Sequence, residues 1–447
     1  MHSSLTKVIR IARPARPCLA VAATTLGFLL QAPLARAAMP PTGIACTEST
    51  SPSPTFALTA TDGYIQLTDG NTMYMWSYAN GGGAFQYPGP VLCVNEGDTV
   101  TVVLNNSLPE EVSIMFPGQE NVLANGVPAQ PQGSGAALTS LTNTAAPGGS
   151  VTYSFVASKP GTYIYESGTS PQKQVRMGLF GALIVRPTLG AGYMFDRPDS
   201  RFTTNATFAS QGTNTYTANE EYMVLLSEID PYQHQAAETG GAFDFDGYQA
   251  RYWLINGRGF PDSISDNGSP FLPEQPYGAL ARIHPYDAAI HPYPGSIRYL
   301  NVATEEIPFH PHGQNGSVIG RDGSPLANAA GEDLSFEKFA INIGPGQTWD
   351  VLFKWLDAEG YNSSTNPIPV VQPQVNNQEF GIFYSGSPYL GESGTLPPGA
   401  STLNTCGEYY IISHNHALYQ ITSWGVNLTG PITYVRVDPT NCVPITR

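Results

Sequence analysis

The sequence predicts an all-β chain, and three observations carry that expectation. Apolar and β-branched residues alternate with polar ones in runs of five or six. The chain holds 46 Gly and 39 Pro, which interrupt it too often for long helices. Of its 447 residues 41% are hydrophobic and only 12% charged, so sizeable cores can be buried.

Thr99–Leu104 puts Val100, Val102 and Leu104 on one face at period two. Val151–Phe155 repeats the pattern with Val151, Tyr153 and Phe155. Gly161–Tyr165 and Gly181–Val185 are further β-branched or aromatic runs bounded by turn residues. Ile297–Val302, Phe339–Ile343, Trp349–Trp355, Tyr409–Ser413 and Ile432–Val437 continue it in the second half. Short strands between Gly/Pro turns predict sandwiches or barrels. Residues 188–219, rich in Thr, Asn, Ser and Gly, suit a linker, and 358–405 suits a long surface insertion.

The first 37 residues differ from the rest. Lys7, Arg10, Arg13 and Arg16 precede an apolar stretch from Cys18 to Leu30, and Ala35-Arg36-Ala37 follows. A positive head, a short apolar run and small residues at a cleavage point predict a secretory signal over 1–37. The expected product is secreted or periplasmic. An exported chain keeps Cys46, Cys93, Cys406 and Cys442, an even number that suggests two disulfides. Cys46–Cys93 would pin the N-terminal segment to the first sheet, and Cys406–Cys442 would tie the last strands. Three pairings are open.

Composition also excludes classes. Net charge is −15 and no Lys/Arg cluster lies beyond the N-terminus, so the basic surface that nucleic acid demands is missing. No interior apolar run reaches the roughly 18 residues of a membrane span. No G-x-S-x-G, H-E-x-x-H or phosphate loop supports hydrolase or nucleotide chemistry.

Motif order then carries a resemblance. Tyr87-Pro88-Gly89-Pro90, Glu96-Gly97-Asp98-Thr99-Val100 and Asn105-Asn106-Ser107-Leu108-Pro109 are followed by Pro160–Tyr165 and Gly178–Val185. Further on come Leu254-Ile255-Asn256-Gly257, Arg298-Tyr299-Leu300-Asn301 and Phe309-His310-Pro311-His312-Gly313. Val318–Gly323 and Gly344–Leu352 extend the series. Together they resemble the multicopper oxidases, over about 55–187 and 220–439. The resemblance implies two, or alternatively three, cupredoxin-like Greek-key β-sandwich domains. The division it suggests is a signal peptide at 1–37, an N-terminal segment at 38–54, a first domain at 55–187, a linker at 188–219 and an enlarged C-terminal region at 220–447.

It also implies a copper-ligand set, which here is incomplete. The family's trinuclear cluster takes four H-x-H pairs. Where the first two should stand, this chain reads Met115-Phe116-Pro117-Gly118 and Glu166-Ser167-Gly168. The third survives as His310-Pro311-His312 and the fourth as His414-Asn415-His416. For the mononuclear electron-entry copper, Asn415 replaces the cysteine, and Gln420 and Ile307 replace the two histidines. Neither amide can act as the thiolate that sets potential and electron path. The expected metal ligands are therefore His310, His312, His414 and His416, with copper as the cofactor in fewer ions than the family's set. The same histidines also fit a purely structural reading, in which they satisfy local carbonyls.

Other candidates are weaker. Glu166, at a former ligand position, suits a solvated carboxylate better than an acid–base group. Asp230, Asp244, Asp246, Glu305 and Glu306 lack the spacing of a calcium loop. His234, His284 and His291 suit structural work. Two function classes stay open: a copper-dependent oxidoreductase-like protein, and a non-enzymatic cupredoxin acting as a structural or partner-binding subunit. The expected partners are a second cupredoxin or redox chain that supplies the missing pairs, or further copies of the chain. A homotrimer would not restore first-domain histidines that every copy lacks.

Overall fold

The computed structural model describes residues 39–190, 192–196, 220–285, 291, 293–354, 370–373, 401–404 and 409–438. Residues 1–37, where a signal is expected, lie outside them, as do Cys406, Cys442 and most of the 358–405 stretch. Within them the first strands are β1 (Thr55–Gln66), β2 (Thr72–Asn80), β3 (Leu92–Asn95), β4 (Thr99–Asn106), β5 (Leu123–Ala124), β6 (Val127–Pro128), β7 (Ser150–Val156), β8 (Gly161–Glu166) and β9 (Phe180–Arg186). They form a six-stranded sheet, β2-β1-β4-β7-β5-β6, facing a three-stranded one, β3-β9-β8. Alternation decides which side chains go inside. Phe56, Leu58 and Ala60 of β1 join Val100, Val102 and Leu104 of β4 and Val151, Tyr153 and Phe155 of β7 in one core. Pairing β1 with β4 in parallel, while β4 and β7 run antiparallel, is the crossover expected of a Greek key.

The second half continues with β10 (Glu221–Ile229), β11 (Tyr252–Ile255), β12 (Ala281–Ile283), β13 (Gly295–Asn301), β14 (Ile307–Pro311), β15 (Gly316–Arg321), β16 (Ser324–Pro325), β17 (Phe336–Lys338), β18 (Ile341–Ile343) and β19 (Thr348–Phe353). After β20 (Val370–Pro373) and β21 (Ser401–Asn404) come β22 (Tyr409–Asn415), β23 (Thr422–Ser423), β24 (Val426–Asn427) and β25 (Ile432–Val437). One sheet runs β11-β10-β13-β19-β15-β16, with β17 on β15; the other runs β12-β25-β22-β14-β18. Tyr222, Val224, Leu226, Ile307, Phe309, Val351 and Val435 belong to the core between them. The all-β class holds. Its two α-helices among the described residues are short: α1 (Pro171–Met177) and α2 (Pro231–Thr239), each starting on a proline.

A third apolar layer joins the two sandwiches. Ala182 and Ile184 of β9 point away from the first core and meet Met223 and Leu225 of β10, Leu254 of β11 and Leu300 of β13. Strands buried on both faces show unbroken apolar runs instead of alternation, as β9 and β10 do. The join admits no side chain at one point: a Cβ on Gly161 of β8 would stand 2.8 Å from Gly323 Cα in the turn between β15 and β16. Gly323, at φ +70°, packs against Tyr163.

The expected Cys46–Cys93 pairing is present, with Cα atoms 5.6 Å apart. Thr47 N–H donates to the Val91 carbonyl at 2.7 Å, and Cys93 N–H donates to that of Thr47 at 3.1 Å. The N-terminal segment thereby adds beside β3.

His234 does structural work, as expected of a lone histidine. It is fully buried on α2 and its Nδ1 lies 2.6 Å from the Tyr74 carbonyl of β2. Burial pushes its pKa down to about 4, against smaller opposing contributions from the Tyr74 and Arg176 carbonyls and Asp230. The folded value lies below the unfolded one, so the neutral ring's contribution is complete above roughly pH 6.5. It is lost as pH falls toward 4, because only the unfolded chain takes up the proton there. Urea titrations at pH 7 and pH 4.5 should differ by about 2–3 kcal/mol on this account. A His234→Gln variant should show a correspondingly smaller pH dependence; an unchanged one would sink the assignment.

Candidate metal centre

Strands β14 and β22 run antiparallel, with His310 directly opposite His414. Residues two apart on a strand face the same side, so His312 and His416 fall on that side too. Main-chain bonds extend the ladder past both strand ends: His312 N–H donates to the Ile412 carbonyl at 3.0 Å, and His416 N–H to that of Pro308 at 2.8 Å. The outcome is one group of rings. Centroids lie 4.6 Å apart for His310 and His312, 5.2 Å for His312 and His414, 5.2 Å for His310 and His416, and 5.6 Å for His414 and His416.

Four ring nitrogens have defined neighbours. His310 Nδ1 lies 2.6 Å from the Phe339 carbonyl, and His414 Nδ1 lies 2.8 Å from that of Asn415. A carbonyl at Nδ1 holds the proton there and leaves Nε2 as the lone-pair nitrogen. His312 Nε2 and His414 Nε2 face each other at 3.1 Å. Two imidazoles bound to one tetrahedral ion at about 2.0 Å would hold their nitrogens roughly 3.3 Å apart. The His312–His414 pair already has that bite. No group of three or more His, Cys, Asp or Glu among the described residues converges into a finished cage, so His310 and His416 would have to turn toward the pair. Burial lowers the His312 pKa to about 4, helped by the charges of the other three rings, and burial lowers that of His414 too. Both shifts favour the neutral ring, the form that ligates.

Beside this group, Asn415 and Gln420, the residues expected at the electron-entry position, bond to one another. Asn415 and Gln420 are fully buried, and the Asn415 amide donates to Gln420 Oε1. Gln420 Nε2 donates to Glu305 Oε2 at 2.6 Å, which also accepts from Tyr419 Oη at 2.6 Å. Asn415 Oδ1 accepts from Ala417 N–H at 3.0 Å. Ile307 faces the apolar core, opposite Ile343 in the ladder.

The two first-domain stretches that lack histidine also adjoin. Met115 and Glu166 bridge through their main chains, and Met115 packs where a Cβ on Gly168 would be, 2.7 Å from its Cγ. Glu166 is half-buried rather than solvated, and burial raises its carboxyl above the usual range.

The remaining candidates have other duties. Asp230 caps α2, accepting from Tyr232 N–H at 2.9 Å and Gln249 N–H at 2.7 Å. Asp244 accepts from Asp246 N–H at 3.1 Å, and Glu306 accepts from Asn342 at 3.1 Å. His284 bonds Glu220 at 2.6 Å and stacks on His291 with centroids 4.7 Å apart. What sequence reasoning missed is the orienting shell: the Phe339 carbonyl, and Glu305 in the role of an acceptor for buried amides. A carbonyl carries no residue-type signal, so only the strand pairing of β14 reveals the first.

The chain is similar to known copper proteins. A multicopper oxidase family model matches residues 59–189. Multicopper oxidase VdtB of Byssochlamys spectabilis is 34% identical over 318 residues, covering 68% of this chain and 40% of that protein. L-ascorbate oxidase of Cucumis sativus is 37% identical over 110 residues, covering 25% of this chain and 17% of its own. The copper-containing nitrite reductase of Neisseria meningitidis is 32% identical over 127 residues, 28% of each chain. The matched stretch thus spans less than half the length of each of these relatives. Among solved structures, the blue copper oxidase from Nitrosomonas europaea superposes with a TM-score of 0.53 at 18% identity, over 87% of this chain and 86% of that one. The multicopper oxidase mgLAC gives 0.54 at 17% identity, over 88% of each. The chain belongs to the multicopper oxidase/cupredoxin family.

Proposed function

We propose that this chain is an exported copper-binding protein of the family that holds its metal through His310, His312, His414 and His416 and has no electron-entry copper. The observation that carries the reading is the register of β14 and β22, which sets two H-x-H pairs on one side with Nε2 atoms of His312 and His414 at 3.1 Å. Family membership supports copper over other imidazole-binding ions. Bound copper would supply one-electron redox chemistry there. The protein's part is to present neutral imidazoles, to fix two of them by carbonyls at Nδ1, and to keep a half-buried surround. The saturated Asn415–Gln420–Glu305 network supports the lack of a second centre, since its buried amide groups already have partners. The leader over 1–37 and the Cys46–Cys93 bond support export. Division into 55–187 and 220–447, with 188–219 as linker, is part of the same proposal.

Titrating Cu²⁺ into the purified chain tests it. Tight one-to-one binding is expected, with at least a hundredfold loss in His312→Ala and His414→Ala, as two of four ligands vanish in turn. No intense band near roughly 600 nm should appear, because no thiolate is available. Absence of copper binding in the wild type would leave the histidines structural. A strong blue band would show the electron-entry site misassigned.

A further inference from the structure

Five aromatic rings from five elements, none of them in the histidine group, line a cavity of about 460 Å³. Tyr64 of β1 and Tyr74 of β2 are register partners. Tyr232 comes from α2, Tyr252 from β11, and Trp424 from the turn between β23 and β24. The rings meet as walls meet at a corner. Tyr64 and Tyr74 cross at 63°, Tyr232 and Trp424 at 78°, and Tyr252 and Trp424 at 80°, with centroids 5.6, 6.1 and 6.4 Å apart.

Four of the five rings have their polar ends tied down, which fixes their orientation around the cavity. Tyr64 Oη donates to Glu238 at 2.5 Å and Tyr74 Oη to Asp62 at 3.0 Å. Trp424 Nε1 donates to Tyr252 Oη at 2.7 Å, which donates to Asp69 at 2.9 Å. Three of the rings stay open to solvent: Tyr64 is 51% exposed, Tyr232 58% and Trp424 47%. Exposed apolar faces held in fixed orientation are unfavourable in water unless something covers them.

Trp424 adds a backbone observation. It sits at φ +51° and Gly425 at φ +77°, the two central positions of a tight hairpin turn. Such positions favour Asn or Gly, and a bulky residue there is strained. Strain of this kind points to a function for the side chain it presents.

We propose that this aromatic box binds a small organic cation of the quaternary-ammonium class. Rings at steep angles offer several π faces to one compact charge, whereas a flat sugar needs a level platform. Glu238 lines the cavity, and Asp62 and Asp69 hold the Tyr74 and Tyr252 hydroxyls, so three carboxylates make the surround negative, outnumbering Arg251, whose guanidinium packs over Trp424 at 5.3 Å from the centroid. That contact shows the ring taking a cation on its face.

Choline and its neutral isostere 3,3-dimethyl-1-butanol, followed by calorimetry and tryptophan fluorescence on the full chain, separate charge from shape. Choline should bind with a Kd of about 1–10 mM, and the isostere at least about tenfold more weakly. Trp424→Asn, which keeps a residue suited to the turn, and Tyr232→Ala should each weaken choline about fivefold with an unchanged circular dichroism spectrum. Glu238→Gln should weaken it about threefold, and less so at high salt. Equal binding of choline and the alcohol, tighter binding of a neutral oligosaccharide, or no choline binding up to roughly 100 mM would each overturn the proposal.

Discussion

Arg298→Met is expected to cost about 3–5 kcal/mol of stability, the penalty for stranding buried charges. Arg298 has no exposed surface, and its Nε and Nη2 lie 2.7 and 2.6 Å from Glu221 Oε1. Its Nη1 donates to Thr162 Oγ1 at 2.8 Å and lies 3.2 Å from Asp350 Oδ1. Thr162 belongs to β8 of the first sandwich, while Arg298 and Asp350 belong to the second, so the network crosses the join. Burial by itself would raise the Glu221 carboxyl, but the guanidiniums of Arg186 and Arg298 hold it at about 2. That folded value is below the unfolded one, so its stabilisation is full above roughly pH 4.5 and disappears as pH falls toward 2. Asp350 moves the other way: burial outweighs Arg298 and raises its carboxyl. Urea unfolding at pH 7 should show the loss for Arg298→Met, and removing Asp350 together with Arg298 (Asp350→Leu) should restore part of it. A loss under about 1 kcal/mol would mean that the network contributes little.

Opening the Cys46–Cys93 bond should cost a comparable amount. The two cysteines are 47 residues apart in sequence, and closing a loop of that length restricts the unfolded chain by about 4 kcal/mol. The same bond holds Ala45 and Ile44 over the apolar layer between the sandwiches. Cys46→Ala with Cys93→Ala should lower the thermal midpoint in the absence of reductant, and wild type in reductant should approach the double variant. Identical midpoints with and without thiol would show that the loop is restrained by its packing instead.

The sequence made the interior legible where strands have one wet face. Val100, Val102 and Leu104 alternate, and so do Val151, Tyr153 and Phe155; both sets face inward. It was less informative at β10, whose nine residues are all buried, because a strand covered on both sides has no period to read. The short helices α1 and α2 also escaped, since seven or nine residues give too few turns for a helical pattern to rise above frequent Gly and Pro. At the candidate site, the H-x-H spacing put each pair on one face, but it could not say that His310 would stand opposite His414. That fact depends on pairing between strands about a hundred residues apart, which local patterning does not encode. The aromatic box was invisible for the same reason: its five rings come from separate elements, and only the fold assembles them.

The apolar layer that joins the sandwiches has a mechanical consequence. Bending one against the other would part Ile184 and Ala182 from Leu225 and Leu300 and wet both surfaces together, at roughly 25 cal/mol for each Å² exposed. Sliding is obstructed where Gly161 and Gly323 leave no room for a Cβ between their backbones. Packing therefore opposes both motions between the described sandwiches. Any adjustment that brings His310 and His416 in toward His312 and His414 is then expected of side-chain torsions and of the ends of β14 and β22, with the frame behind them held by its packing.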